Sequence, residues 1–174
     1  MVEVMVALCV AGLVGAIAIP TLTAGLSEAR TRGSARYLGA RFQQARTLAA
    51  LRGRAVAVRI QLDRTHVVIG MFEDGNANGV RTVDIASGDD ARIGPDITLE
   101  SLFPGVRPTE ADGVSEITGL RNVLVSFSAV GTASSTTVYL RGGQDGRFAV
   151  RVLGATGRIR LLRFDLARAD WVDL

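Results

Sequence analysis

From Val4 to Ser27 the chain runs for 24 residues without a charge. As α-helix, at about 1.5 Å per residue, such a run extends roughly 36 Å, enough to cross a hydrocarbon core of about 30 Å. A secretory signal has a shorter apolar part, roughly 7 to 15 residues, behind a basic stretch. Here only Glu3 precedes the run and no basic residue does, so a membrane anchor is predicted, with a buried core helix as the competing reading. After Pro20 the helical spacing continues in a different character. Leu26, Ala29, Gly33, Leu38, Phe42, Ala45, Leu48 and Ala49 recur mostly at intervals of three and four, and Arg30, Arg32, Arg36, Arg41, Arg46 and Arg52 fill much of the remainder. One helix from about Val2 to about Leu51 is therefore predicted, apolar all round in its first half and amphipathic in its second. Pro20 removes a backbone donor and is expected to bend or loosen it. Gly53 is placed to cap its end.

From Ala55 the period drops to two. AVAVRIQL and THVVIGMFED read as strands joined by a short turn around Asp63–Arg64. EDGNANGVR is turn chemistry, and the acidic stretch from about Ala86 to Gly119, with Pro95, Pro104 and Pro108, is expected to be a long surface loop with at most a short strand. VLVSFSA, STTVYLRG, RFAVRVLG and GRIRLLRFD read as four more strands, the last two as a hairpin around Ala155–Gly157. A helix followed by a run of strands argues for an α+β fold with a mostly antiparallel sheet on the amphipathic half-helix. The expected organisation is an anchoring half-helix over 1–27 and a head over 28–174, the head comprising half-helix 28–52 and a β-rich part 55–174.

Charge refines this picture. All 20 basic residues are Arg and the net charge is +3. Arg30 to Arg59 holds eight Arg and no acid, Asp63 to Glu116 holds eleven acids against four Arg, and Arg141 to Arg168 holds seven Arg against Asp145 and Asp165. If the two basic segments fold onto one face, they form a positive surface for polyanions or acidic partners. Cys9 is the only cysteine. A disulfide framework is thereby excluded, and the head must be held by its core.

The opening resembles the N-terminal helix of type IV pilins and type II secretion pseudopilins. The matching residues are Val2-Glu3-Val4-Met5-Val6, the small and aliphatic run through Gly12, and Ala18-Ile19-Pro20, at the same glutamate-to-proline spacing. YLGARFQQARTLAALRGRAVAVRI resembles the half-helix and first strand of the GspH/FimT group of minor pilins and pseudopilins. VLVSFSAVGTASSTTVYLRGG and FAVRVLGATGRIRL resemble that group's C-terminal strands, with its Gly-Arg-x-Arg ending at Gly157-Arg158-Ile159-Arg160. The resemblance implies a subunit held in the inner membrane by one helix, its head in the periplasm, which assembles with other pilins or pseudopilins into a hetero-oligomeric filament. Family precursors carry a basic leader ending in Gly, then Phe and usually Thr, so Met1 stands two residues inside the expected mature start. A leader upstream, a prepilin peptidase to cut it and N-methylation are part of what the resemblance implies.

Four groups of residues are candidates for chemistry. Glu3 is a carboxylate at the edge of hydrocarbon, costly unless paired. The resemblance implies that it pairs with the N-terminal amine of a neighbouring subunit, while the general reading is an acid favoured by the helix dipole. Arg158 and Arg160 alternate with Ile159 and are expected to share an outward face. Arg163, across a change of phase, and Arg147 and Arg151 are expected to extend that patch. In some members of the resembled group the Gly-Arg-x-Arg segment is associated with DNA during uptake. A row of Arg without interleaved aromatics suits contact with a duplex backbone more than stacking on single strands; the competing reading, and the default one, is a solvated strand face paired with the acidic middle of the chain. Asp74, Asn76 and Asn78 in DGNANG match the first positions of a calcium loop, but the twelfth position is Ile85, with Asp84 one short; Asx-turns explain the residues as well. His66, the only histidine, has no nucleophile or orienting partner in any motif, and no G-x-S-x-G elbow occurs. Neither an enzyme nor a cofactor is expected. Three classes remain: a pilus or pseudopilus subunit, a DNA-binding minor pilin, and a membrane-anchored binding domain unrelated to filaments.

Overall fold

The computed structural model describes residues 2–63, 66–109, 122–143 and 146–174, without the side chains of residues 6, 7, 10, 11, 13–15 and 17–22. Helix α1 (Val2–Arg52) is one continuous element of 51 residues. It stops at Gly53, whose φ of 65° is the left-handed cap that glycine adopts without steric cost. Pro20 lies within α1, its side chain outside the described residues. No helix among the described residues is long and apolar enough to cross a membrane.

The helix divides by what it touches. Its described side chains from Val2 to Leu26 are exposed, Val2 by 74%, Met5 and Leu8 by 68%. Burial begins at Thr31 and then follows the helical period through Ser34, Ala35, Leu38, Phe42, Ala45 and Ala49. That stripe covers two antiparallel sheets, where the alternation of polar and apolar residues had suggested one. The first sheet holds β1 (Val56–Asp63), β2 (His66–Glu73), β3 (Ala91–Arg92), β4 (Ile97–Thr98) and β6 (Val123–Phe127), ordered β3-β2-β1-β6 with β4 also on β2. The second is ordered β10-β9-β8-β7-β5, from β5 (Val106–Thr109), β7 (Thr136–Gly142), β8 (Gly146–Leu153), β9 (Arg158–Asp165) and β10 (Asp170–Asp173). Val58, Ile60, Ile69, Met71, Val125 and Phe127 of the first sheet meet Val138, Leu140, Phe148, Val150 and Val152 of the second in one core under the helix.

The acidic stretch is less irregular than its composition suggested. Short helices α2 (Thr82–Ser87) and α3 (Leu99–Leu102) and strands β3, β4 and β5 organise it as far as Thr109; residues 110–121 lie outside the described residues. Pro108 is accommodated because β5 is an edge strand, paired only with β7, where a missing amide breaks no interior ladder. Val80 and Ile85 fold over the outer face of the first sheet and cover Ala57 and Phe72 in a second, smaller cluster.

Candidate functional site

Strand registers fix the two faces of the second sheet. Because Phe148, Val150, Val152, Ile159 and Leu161 point into the core, Arg147, Arg151, Arg158 and Arg160 occupy the opposite face by the period of two. Arg107 and Arg141 share that face, since Val106 and Leu140 point inward. Directly opposite one another stand Arg107 and Arg141, Arg141 and Arg147, and Arg151 and Arg160. Like charges so placed are destabilising, each pair by up to about 1 kcal/mol relative to neutral neighbours.

Arg163 is a correction. The strand carries no bulge, so no change of phase occurs: Arg163 pairs with Phe148 and lies on the helix side of the sheet, away from Arg158 and Arg160. The aromatics are a second correction. Tyr139, Phe164 and Trp171 come from three strands onto the same outer face, with ring centroids 5.1 Å apart for Tyr139–Trp171 and 5.3 Å for Phe164–Trp171. Arg147 lies 5.2 Å above the Phe164 ring, a cation–π contact. Among the described residues, Glu73 pairs with Arg52 and Asp96 with Arg92, and Arg160 of the outer face pairs with Asp173 of β10. Arg151 donates to the Thr137 hydroxyl at 3.4 Å and Arg141 to the Gly143 carbonyl at 3.2 Å.

DGNANG is a self-bonded turn. The Asp74 carboxylate, 5% exposed, accepts the amides of Asn76 at 3.2 Å and Gly79 at 2.8 Å, and Asn76 Oδ1 accepts that of Asn78 at 3.3 Å. Asp90, also buried, accepts the amides of Gly75 and Arg81. Ile85, where a calcium loop needs its bidentate acid, packs on the small apolar cluster instead. No group of three or more His, Cys, Asp or Glu gathers among the described residues. His66 is exposed at the start of β2, opposite Asp63. Glu3 is exposed in the first turn of α1 and Cys9 is exposed two turns on.

The described residues thus define an α+β protein whose long N-terminal helix lies by its second half on two antiparallel sheets. Among solved structures, the chain is similar to the type IV minor pilin FimU of Pseudomonas aeruginosa, with 21% identity, a TM-score of 0.48, and 75% of this chain and 87% of that chain covered. No family model matches the chain. No curated protein matches it.

Proposed function

We propose that the protein is a minor pilin or pseudopilin of the GspH/FimT kind, a subunit of a type IV pilus or a type II secretion pseudopilus. The observation that carries this is the first half of α1. It runs for about 25 residues, roughly 38 Å, before the first partly buried side chain among those described; its described apolar residues Val2, Val4, Met5, Leu8 and Leu26 are exposed, and Glu3 lies in its first turn. In the inner membrane the bilayer covers that surface, and the head stands in the periplasm. In a filament the helices of neighbouring subunits cover the same surface, so leaving the bilayer keeps it out of water. Glu3 then sets the register by meeting the N-terminal amine of the next subunit, after a prepilin peptidase has removed a leader and the new N-terminus has been methylated. Glu3→Ala is expected to leave membrane insertion intact and to reduce incorporation into filaments to background. The measurement is fractionation of membranes and sheared filaments, followed by immunoblotting. Normal incorporation of the variant would rule out this role for Glu3 and leave a plain anchored binding domain as the better reading.

A second reading concerns the outer face of the second sheet. Three pairs of directly opposed Arg are kept despite their mutual repulsion, which favours an anionic ligand such as duplex DNA taken up during transformation. Arg158, Arg160 and Arg151 would contact phosphates, each neutralised phosphate adding about 0.9 to the salt slope on B-form DNA. Arg158→Ala with Arg160→Ala should weaken duplex binding across sequences and lower that slope by roughly two. A salt series by fluorescence anisotropy with the full chain in detergent decides it: an unchanged slope would dismiss DNA contact through these residues.

A further inference from the structure

The outer face of the second sheet has an apolar centre that neither reading above uses. Strands β8 and β9 lie between β7 and β10, so Tyr139 and Trp171 stand three strand spacings apart, roughly 14 Å. Their ring centroids are nevertheless 5.1 Å apart, so the two rings lean together across the intervening strands. Beneath them lie Ala149 and Leu162, paired with each other on that face and only 0% and 3% exposed. Tyr139, Phe164 and Trp171 themselves stay half-exposed. Arg147, Arg151, Arg158 and Arg160 border this centre. Among the described residues, Arg160 alone of these four is paired with a carboxylate, Asp173. Half-exposed rings bordered by Arg have the composition of protein–protein contact centres, which are rich in Trp, Tyr and Arg. The phosphate backbone of a duplex offers these rings no apolar partner. An acidic protein surface offers both apolar atoms and carboxylates.

This chain carries such a surface on the other side of its head. The inner faces of the two sheets share one core, so their outer faces point away from each other. On the outer face of the first sheet, Ile85 of α2 packs with Val80 on Ala57 and Phe72. The far side of α2 therefore meets solvent: Val83 is 75% exposed, and Ala86 and Asp89 are exposed with it. Between Glu73 and Glu100 the chain has seven acids against Arg81 and Arg92, and Arg92 is held by Asp96. Asp74 and Asp90 accept turn amides there but keep their charge in the local field. A small apolar knob in acidic surroundings on one side of the head thus answers an aromatic centre with a basic border on the other. Contact between unlike faces is heterologous, and it propagates head to tail unless it closes into a ring. Placement on opposite sides favours the open run, the geometry of a filament.

We infer that the outer face of the second sheet docks a second copy of this chain by its α2 side. Val83 and Ala86 meet the Tyr139–Trp171 rings, and Asp89 lies among Arg147, Arg151 and Arg158. The contact rests on the filament-subunit reading for its purpose and names a surface of the head for it. The test is sedimentation velocity of the full chain in detergent micelles, from about 1 to 100 µM. The wild type should associate reversibly, and added salt should weaken the association. Arg151→Glu with Arg158→Glu should raise the Kd about tenfold or more, because like charges juxtaposed at an interface are strongly unfavourable. Val83→Arg with Asp89→Arg should do the same from the other side. Both of these side chains are exposed, which makes this pair the variant safe for folding. An equimolar mixture of the two variants should regain association, since one supplies an intact α2 side and the other an intact Arg face. A wild type that stays single up to about 100 µM overturns the inference. So does a mixture that regains nothing. Association untouched by either pair of substitutions but abolished by Glu3→Ala belongs to the N-terminal helix; it overturns the head contact and leaves the subunit reading standing. The predicted losses together with normal filament incorporation of Glu3→Ala would do the reverse.

Discussion

Phe42→Ala should destabilise the protein by about 3–5 kcal/mol, the range for removing a buried aromatic ring from a core. Phe42 is wholly buried on α1, its ring centroid 6.1 Å from that of Phe127 on β6. It sits where the helix crosses both sheets, so its loss opens a void between layers, not at a flexible rim. The helical neighbours cannot fill that void: Ala45 and Ala49 are already small, and Leu38 is fully engaged in the same core. Collapse would require the helix to move against two sheets at once. Phe42→Leu keeps much of the volume and should cost under about 1.5 kcal/mol. Trp171 is the only tryptophan and packs on Tyr139 and Phe164, so its fluorescence reports unfolding of the second sheet in a urea titration of the full chain in detergent. A cost below 1 kcal/mol for Phe42→Ala would mean that α1 and the sheets do not share one core.

The ease with which each part of this fold is read from sequence follows the range of the interaction that sets it. The helix and strands β1, β2, β7, β8 and β9 declare themselves because period 3.6 and period two are local properties, sustained over eight residues or more in most of them. β3 and β4 have two residues each and exist only as partners of β2. β10, Asp-Trp-Val-Asp, is too short and too acidic to stand out, yet it supplies Trp171 and Asp173 to the outer face. The division into two sheets is also non-local: β6 pairs with β1, from which 59 residues separate it, and not with β7. The face of Arg163 is a different case. Its odd number against the even Arg158 and Arg160 places it on the opposite face of a regular strand, and the unbroken register of β9 leaves no change of phase to bring it back. The aromatics of the Arg face lie up to 32 positions apart in the chain, at 139, 164 and 171. No spacing rule brings them together; the registers β7–β8–β9–β10 do.

Gly142→Ala should cost about 1–3 kcal/mol, as overpacking of a rigid contact does, and Thr31→Ala should remove most of that cost. The pair Gly142-Gly143 reads as a turn, but the two glycines answer different needs. Gly143 has a φ of 64°, which disfavours any side chain. Gly142 has no such backbone demand; it needs space. A Cβ there would fall 2.0 Å from Thr31 Oγ1 and 3.3 Å from Thr31 Cβ. Thr31 cannot swing away cheaply, since it is fully buried and its hydroxyl donates to the Ser27 carbonyl at 2.8 Å. Nor can the strand retreat, because Gly142 pairs with both Val106 and Gly146 in the sheet. Without the hydroxyl, the nearest remaining atom of residue 31 is its Cβ at a distance an alanine tolerates with a small shift. The loss at residue 142 in the Thr31→Ala background should therefore shrink below about 1 kcal/mol, a coupling that a double-mutant cycle measures directly. Additive losses would show that Gly142 is required for the strand itself and not for the approach of the helix. The coupled result would locate, at a single pair of residues, the point where the helix stops being free and becomes part of the head.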